Sequence, residues 1–149
     1  MKNKIYKDLI LIATMGAIYM VLEGVWRGWT HISMLVVGGL AAFFIGRLNE
    51  YSKFYDKKMW QECLIGTVII LVLEFISGMV LNVWLKLGIW DYSNTWGNLY
   101  GQICIPYAVL WFLLVPLNVF VDDYLRYRLF GEKKPQGLLK NYIDLFTGR

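Results

Sequence analysis

The sequence predicts an all-α fold: a polytopic membrane helix bundle of about four transmembrane helices with an amphipathic helix at the C-terminus. Hydrophobic residues fill 58% of the 149 positions and the mean hydropathy is +0.47, well above the roughly 45–50% apolar share of soluble domains. Charged residues are only 17%, and they cluster so as to leave apolar runs of about 18 residues or more, enough to cross a hydrocarbon core roughly 30 Å thick. The last stretch of the chain carries apolar residues at helical spacing. Together these observations exclude a disordered chain, a coiled coil, a disulfide scaffold and a soluble Rossmann or P-loop enzyme: the glycines lie inside apolar segments, and no GxxxxGK[ST] occurs.

The first span is expected at about 7–26, after a basic flank of Lys2, Lys4 and Lys7. It lacks a small-residue cleavage site, because Glu23, Trp26 and Arg27 stand where one would lie, and it reads as a retained helix. A second span is expected at about 31–46, then a polar loop from Arg47 to Lys58, a third span at about 60–87 and a fourth at about 99–121. At 1.5 Å per residue the third is about 42 Å long, so it must tilt, kink near Gly78 or project past the lipid. The segment GIWDYSNTWGN, Gly88 to Asn98, reads as an ordered loop at the membrane surface. Residues 1–125 thus form the bundle and 126–149 a basic tail. In that tail Leu138, Leu139, Tyr142, Ile143 and Phe146 share a face after Pro135 and Gly137, as in a helix lying on an anionic leaflet or docking a partner.

Every Lys and Arg except Arg27 and Lys86 falls on one side of these spans. The positive-inside rule then predicts a cell (inner) membrane protein with both termini cytoplasmic. The formal net charge of +4 reads as a topology signal, with no nucleic-acid partner expected. Cys63 and Cys104 lie in apolar surroundings without CxxC spacing, and the one histidine, His31, cannot supply a multi-histidine metal site. No metal and no cofactor are expected. Without an internal repeat, transporter symmetry would have to come from a homo-oligomer or a partner.

Ionisable groups at membrane depth are costly and are site candidates by default. Glu74 stands near the middle of the third span, and Glu74, Ser77, Gly78, Leu81 and Asn82 share one helix face. Glu23 and Arg27 are four apart, with His31 four further on, while Asp91, Asn98 and Gln102 sit toward the same outer end. The expected ligand-binding set is Glu74, Asn82, Glu23, Arg27, His31, Asp91, Asn98 and Gln102, with catalytic residues unknown. Structural readings stand beside it. Glu74 also reads as a carboxyl hydrogen-bonded to a neighbouring helix, Glu23 with Arg27 as an ion pair fixing a helix end, and Asn82, Asn98 and Gln102 as interhelical hydrogen bonds. His31 beside Ser33 reads as a hydrogen-bonded helix start, and Gly38-Gly39 with Ala41 and Ala42 as a close helix contact.

The ordered blocks Glu23-xxx-Arg27-Gly28-xx-His31-x-Ser33-Met34, Gly38-Gly39-Leu40, Glu74-Phe75-Ile76-Ser77-Gly78 with Asn82, Trp90-Asp91-Tyr92-Ser93, Asn98, Gly101-Gln102-Ile103-Cys104 and Trp111 resemble the small integral-membrane family of ABC-transporter type IV proteins. The eukaryotic transmembrane protein 229 group is similar to it. The resemblance covers roughly residues 20 to 125 and implies a multi-span membrane protein of transporter type, with no site residue to carry over. The sequence has no Walker motif, so an ABC role implies a separate ATPase partner.

The function expected from these residues is that of a permease-like or lipid-handling subunit, in contact with membrane lipids, with a polar pocket open to the outer leaflet. Glu74 would bind a ligand or proton, helped by Asn82, Asn98 and Gln102, while Glu23 and Arg27 close the mouth. Two alternatives stand. One is a small membrane enzyme acting on a lipid or isoprenoid headgroup, with Asp91 or Glu23 as base and His31 as proton shuttle; the other is a structural scaffold.

Overall fold

A computed structural model describes residues 2–50 and 56–149 of the chain, without the side chain of Lys2. Most of the polar loop expected between Arg47 and Lys58, residues 51–55, lies outside the described residues. The helices are α1 (Lys2–Arg27), α2 (Ser33–Gly46), α3 (Met59–Gly78), α4 (Ile105–Phe130) and α5 (Leu138–Thr147). Among the described residues there is no strand, only an isolated bridge between Leu99 and Ile103.

Among the described residues three helical stretches are long and apolar enough to cross a membrane: Asn3–Arg27, Met59–Trp84 and Ile105–Phe130. The fourth apolar helix, α2, has 14 residues and is about 21 Å long, short of the hydrocarbon thickness. It is nonetheless bound tightly to α1. A Cβ added at Gly16 would lie 2.1 Å from the Leu35 carbonyl oxygen, and one at Gly39 2.4 Å from that of Ile12. The two backbones touch, which is the role of small residues where lipid supplies no hydrophobic drive between helices.

What α2 leaves open is filled by the segment from Leu85 to Cys104. Ile89 and Trp90 fold inward and bury against Met34, with Tyr19, Met20, Val37, Leu81 and Tyr92 packed around them. We call this end of the bundle the loop side. At the opposite end the start of α1 meets the segment after α4 through Lys7 and Glu132; this is the terminus side.

The long third span resolves its excess length by a change of helix type. Immediately after Gly78 the backbone widens into a π-helix over Met79–Trp84, and the Leu85 amide donates to the Val80 carbonyl at 2.9 Å. The fourth span is displaced from its expected bounds of 99–121. Leu99–Cys104 is a tight turn in which the Leu99 amide donates to Ile103 and that of Gln102 to Leu99, and the helix starts only at Ile105, with Pro106 in its first turn. It continues past 121 because Asp122 and Arg126, four apart, pair along it, and it ends at left-handed Gly131.

The C-terminal amphipathic helix forms as expected, but it turns part of itself toward the bundle. Leu145 joins Ile45, Cys63, Val115 and Val119 in the second core cluster, with Tyr142 packed against it. The Asn141 amide donates to the Pro116 carbonyl at 3.3 Å and the Tyr142 hydroxyl to that of Leu113 at 2.8 Å. One acceptor is the carbonyl of the proline inside α4 and the other lies three residues before it, so α5 is fastened to that turn of the helix. Leu139, Ile143 and Phe146, from the same expected face, are exposed.

Candidate functional site

The polar residues of the loop side separate into three groups. The first is a staple between the π-helix and the loop. Asn82 accepts from the Ile89 amide at 2.7 Å and donates to the Gln102 side chain at 2.9 Å. Gln102 in turn donates to the Tyr100 carbonyl at 2.9 Å, and its own carbonyl receives the Trp90 indole at 3.0 Å. Its side chain packs where a Cβ on Gly78 would stand. These amides are thus spent on one another and on backbone, so their work is to hold the loop down.

The second group surrounds Glu74. This carboxyl is buried and lies about 22 Å along the helix begun at Met59. The Trp111 indole donates to it at 3.1 Å, and among the described residues no other hydrogen-bond donor reaches it. Trp111 in turn belongs to a cluster of aromatic rings: Tyr92 stacks on Tyr107 with centroids 4.8 Å apart, Tyr107 meets Trp111 at 6.2 Å, and Tyr19 meets Trp111 at 6.3 Å. Tyr92, in the loop, has its phenol pushed well above the ordinary tyrosine range by burial first and by the nearby Glu74 charge second. A carboxylate beside a cluster of aromatic rings can attract a cation in two ways, by charge and by the ring quadrupoles.

The third group fastens the mouth. Arg27 pairs with Glu23 at 2.9 Å, donates to the Ile89 carbonyl at 2.8 Å and lies over the Trp29 ring. Glu23 also receives the Thr30 hydroxyl at 2.6 Å. Asp91 and Asn98 are exposed and shape the loop itself. Asp91 accepts from the Ser93 hydroxyl and, at 2.8 Å, from its amide; these bonds hold the carboxyl below its usual range. Asn98 bonds Ser93, Thr95 and Gly101. Gly101 has φ +68, and a Cβ there would meet the Ser93 hydroxyl, so this turn closes only with glycine. His31 bonds Ser33 at 2.8 Å, and among the described residues it makes no hydrogen bond to Glu23 or Asp91, the acids proposed as its catalytic partners.

Of the eight expected residues the structure therefore gathers Asn82 and Gln102 into one staple and Glu23 and Arg27 into one clasp, both gripping Ile89. Glu74 belongs to neither and is bonded to Trp111, while His31, Asp91 and Asn98 serve local turns. Tyr19, Tyr92, Tyr107 and Trp111 were not singled out from sequence as site residues. Tyr92 and Trp111 appeared only in the blocks that carry the family resemblance, and the other signal was aromatic content near span ends, which an interfacial belt produces equally well.

Sequence reasoning also missed the densest charge network, on the terminus side. Asp122, wholly buried, and Arg126, 6% exposed, pair at 2.6 Å. Arg126 reaches Glu50 at 2.9 Å, and Arg47 pairs with Glu50 at 2.9 Å and with Asp8. The available signal was the four-residue spacing of Asp122 and Arg126, concealed by ending the fourth span at 121.

No curated protein and no solved structure matches the chain. A family model does match, over residues 10–136, and its description is "Putative ABC-transporter type IV". With most of the chain covered and three apolar helices of spanning length, the chain is a multi-pass membrane protein belonging to that ABC-transporter type IV family.

Proposed function

We propose that the chain is a permease-like subunit in which Glu74 receives a small organic cation and the Leu85–Cys104 loop is the gate above it. The observation that carries this reading is the buried Glu74 carboxyl, hydrogen-bonded among the described residues by Trp111 alone, whose ring belongs to a cluster with Tyr19, Tyr107 and Tyr92. Burial of a carboxyl in hydrocarbon costs roughly 2.5–3.5 kcal/mol, and a purely structural role would be expected to satisfy more of its lone pairs. The polar pocket expected to open to the outer leaflet becomes, in this proposal, a chamber closed by the Asn82–Gln102 staple and the Glu23–Arg27 clasp. The sidedness proposed is that of the positive-inside rule, loop side outward and termini cytoplasmic in the inner membrane. A homo-oligomer and a separate ATPase complete the proposed assembly.

The test is a titration of the protein in nanodiscs with tetramethylammonium, followed by tryptophan fluorescence. Wild type should show a saturable change, absent in Glu74→Gln and in Trp111→Phe proteins of unaltered helicity. An equal, saturable response in Glu74→Gln would remove the carboxylate from the site and end this reading.

A further inference from the structure

The terminus side holds a feature that the gate and chamber do not use. A cavity of about 500 Å³ opens between the start of α1, the end of α2 and the end of α4, with Lys4, Lys7, Asp8, Arg47, Arg126 and Glu132 in its wall. An apolar groove of about 410 Å³ runs between α2 and α3, bounded by Phe44, Leu48, Val68, Ile69, Val72 and Leu73. Arg47 contributes to both.

The charges of the cavity are not equivalent. Arg47 and Arg126 are committed to Asp8, Glu50 and Asp122 through short, largely buried contacts. Three groups are held loosely. Lys4 is exposed and has no ion pair among the described residues. Lys7 and Glu132 are 3.4 Å apart with side chains 42% and 37% exposed, and Glu132 lies 3.9 Å from Arg126. Lys7 also lies over the Phe130 ring. Two partly exposed cations, one of them in a long pair with a partly exposed carboxylate, match a phosphate joined to an ammonium. The wall as a whole, Lys4, Lys7, Arg47 and Arg126 against Asp8, Glu50 and Glu132, has too small a positive excess to favour a multiply charged headgroup.

We propose that cavity and groove together bind one zwitterionic aminophospholipid from the leaflet on the terminus side. Its phosphate lies on Lys4 and Lys7, its primary ammonium on Glu132, and one acyl chain in the α2–α3 groove. Basic pockets between membrane helices are established headgroup sites; the carboxylate here adds selection for an ammonium that can donate hydrogen bonds, which a trimethylammonium cannot. The groove supplies apolar contact at the depth where an acyl chain begins.

The experiment is native mass spectrometry of the full chain released from nanodiscs made of equal parts ethanolamine, glycerol and choline phospholipids. Wild type should retain the ethanolamine lipid at least tenfold over the other two. Lys4→Gln/Lys7→Gln should abolish that retention, Glu132→Gln should erase the distinction between ethanolamine and choline lipids, and Val72→Trp, which fills the groove, should lower retention of all three. Lys4→Gln alone touches no internal contact, so it reports on the headgroup even if the double variant misfolds, and should weaken retention severalfold. Equal retention of the three lipids, a preference for the glycerol lipid, or an ethanolamine preference unchanged in Lys4→Gln and Glu132→Gln would each overturn the proposal.

Discussion

Replacing Asn82 by leucine tests the loop staple directly. Leucine matches asparagine closely in shape but removes the acceptor for the Ile89 amide and the donor to Gln102. Ile89 is 1% exposed, so its amide gains no water in exchange. A buried group left unpaired costs about 1–3 kcal/mol, and side-chain hydrogen bonds between membrane helices have measured about 0.6–2 kcal/mol. Gln102 can turn and recover part of its loss, which leaves about 2 kcal/mol as the expected weakening of loop docking. At about 1.4 kcal/mol per tenfold, opening of the loop should become roughly 30-fold more frequent. Amide hydrogen exchange in nanodiscs reads this without global unfolding. The Tyr92 amide, bonded to the Gly101 carbonyl at 2.8 Å, is the better reporter, because the mutation leaves its own bond untouched. It should lose protection by the same factor as Ile89, while amides in the middle of α4 keep theirs. If Tyr92 protection is unchanged while Ile89 alone exchanges faster, the staple is a local bond and does not hold the loop.

Further expectations rest on separate contacts. Gly16→Ala forces a Cβ into the Leu35 carbonyl and should cost about 1–3 kcal/mol or more as overpacking, whereas Gly24→Ala, whose nearest neighbour is 4.0 Å away, should be neutral or stabilise by up to about 1 kcal/mol; melting in detergent compares the two. The Tyr92 phenol ionises in the unfolded chain near the ordinary 10.0 and well above that in the folded state. Its contribution is therefore complete below pH 10 and declines as pH rises above that value, a decline that melts between pH 8 and 11 should show in wild type and find reduced in Tyr92→Phe. Arg126→Met strands the buried Asp122 carboxylate and should cost about 3–5 kcal/mol, most of it recovered in Asp122→Leu/Arg126→Met, as urea unfolding in micelles would register; no recovery would mean that Glu50 is the important partner.

Much of this architecture is already determined by local composition. Apolar runs between charge clusters specify helices in lipid, because backbone hydrogen bonds have no other partner there, and the amphipathic spacing from Leu138 to Phe146 specifies α5. The resemblance carried by the blocks from Glu23 to Trp111 agrees with the family match over residues 10–136. Glu74 was legible as a candidate because a carboxyl amid valine, leucine and isoleucine stands out by cost alone. Its partner Trp111 and the rings of Tyr19, Tyr92 and Tyr107 clustered with it were not, since they come from three separate segments, and nothing in one-dimensional spacing distinguishes such a cluster from a membrane belt.

Where an element ends depended on contacts that no window of sequence contains. Leu99–Cys104 is apolar enough to continue a span, yet it turns back because Gln102 must reach Asn82 and Gly78. Asp122 and Arg126 are polar enough to end one, yet the helix continues because Gly46 leaves room for the Asp122 carboxyl and Glu50 meets the arginine. Sequence by itself therefore determined that this chain crosses a membrane as helices and which residue it could least cheaply bury. Only the tertiary structure decided which amides are spent as fastenings, which indole meets the carboxyl, and that α2 stops short and leaves its place to a loop. The physical reason is that hydration cost is a property of each residue, whereas a hydrogen bond or a packed ring needs a partner brought from elsewhere in the chain.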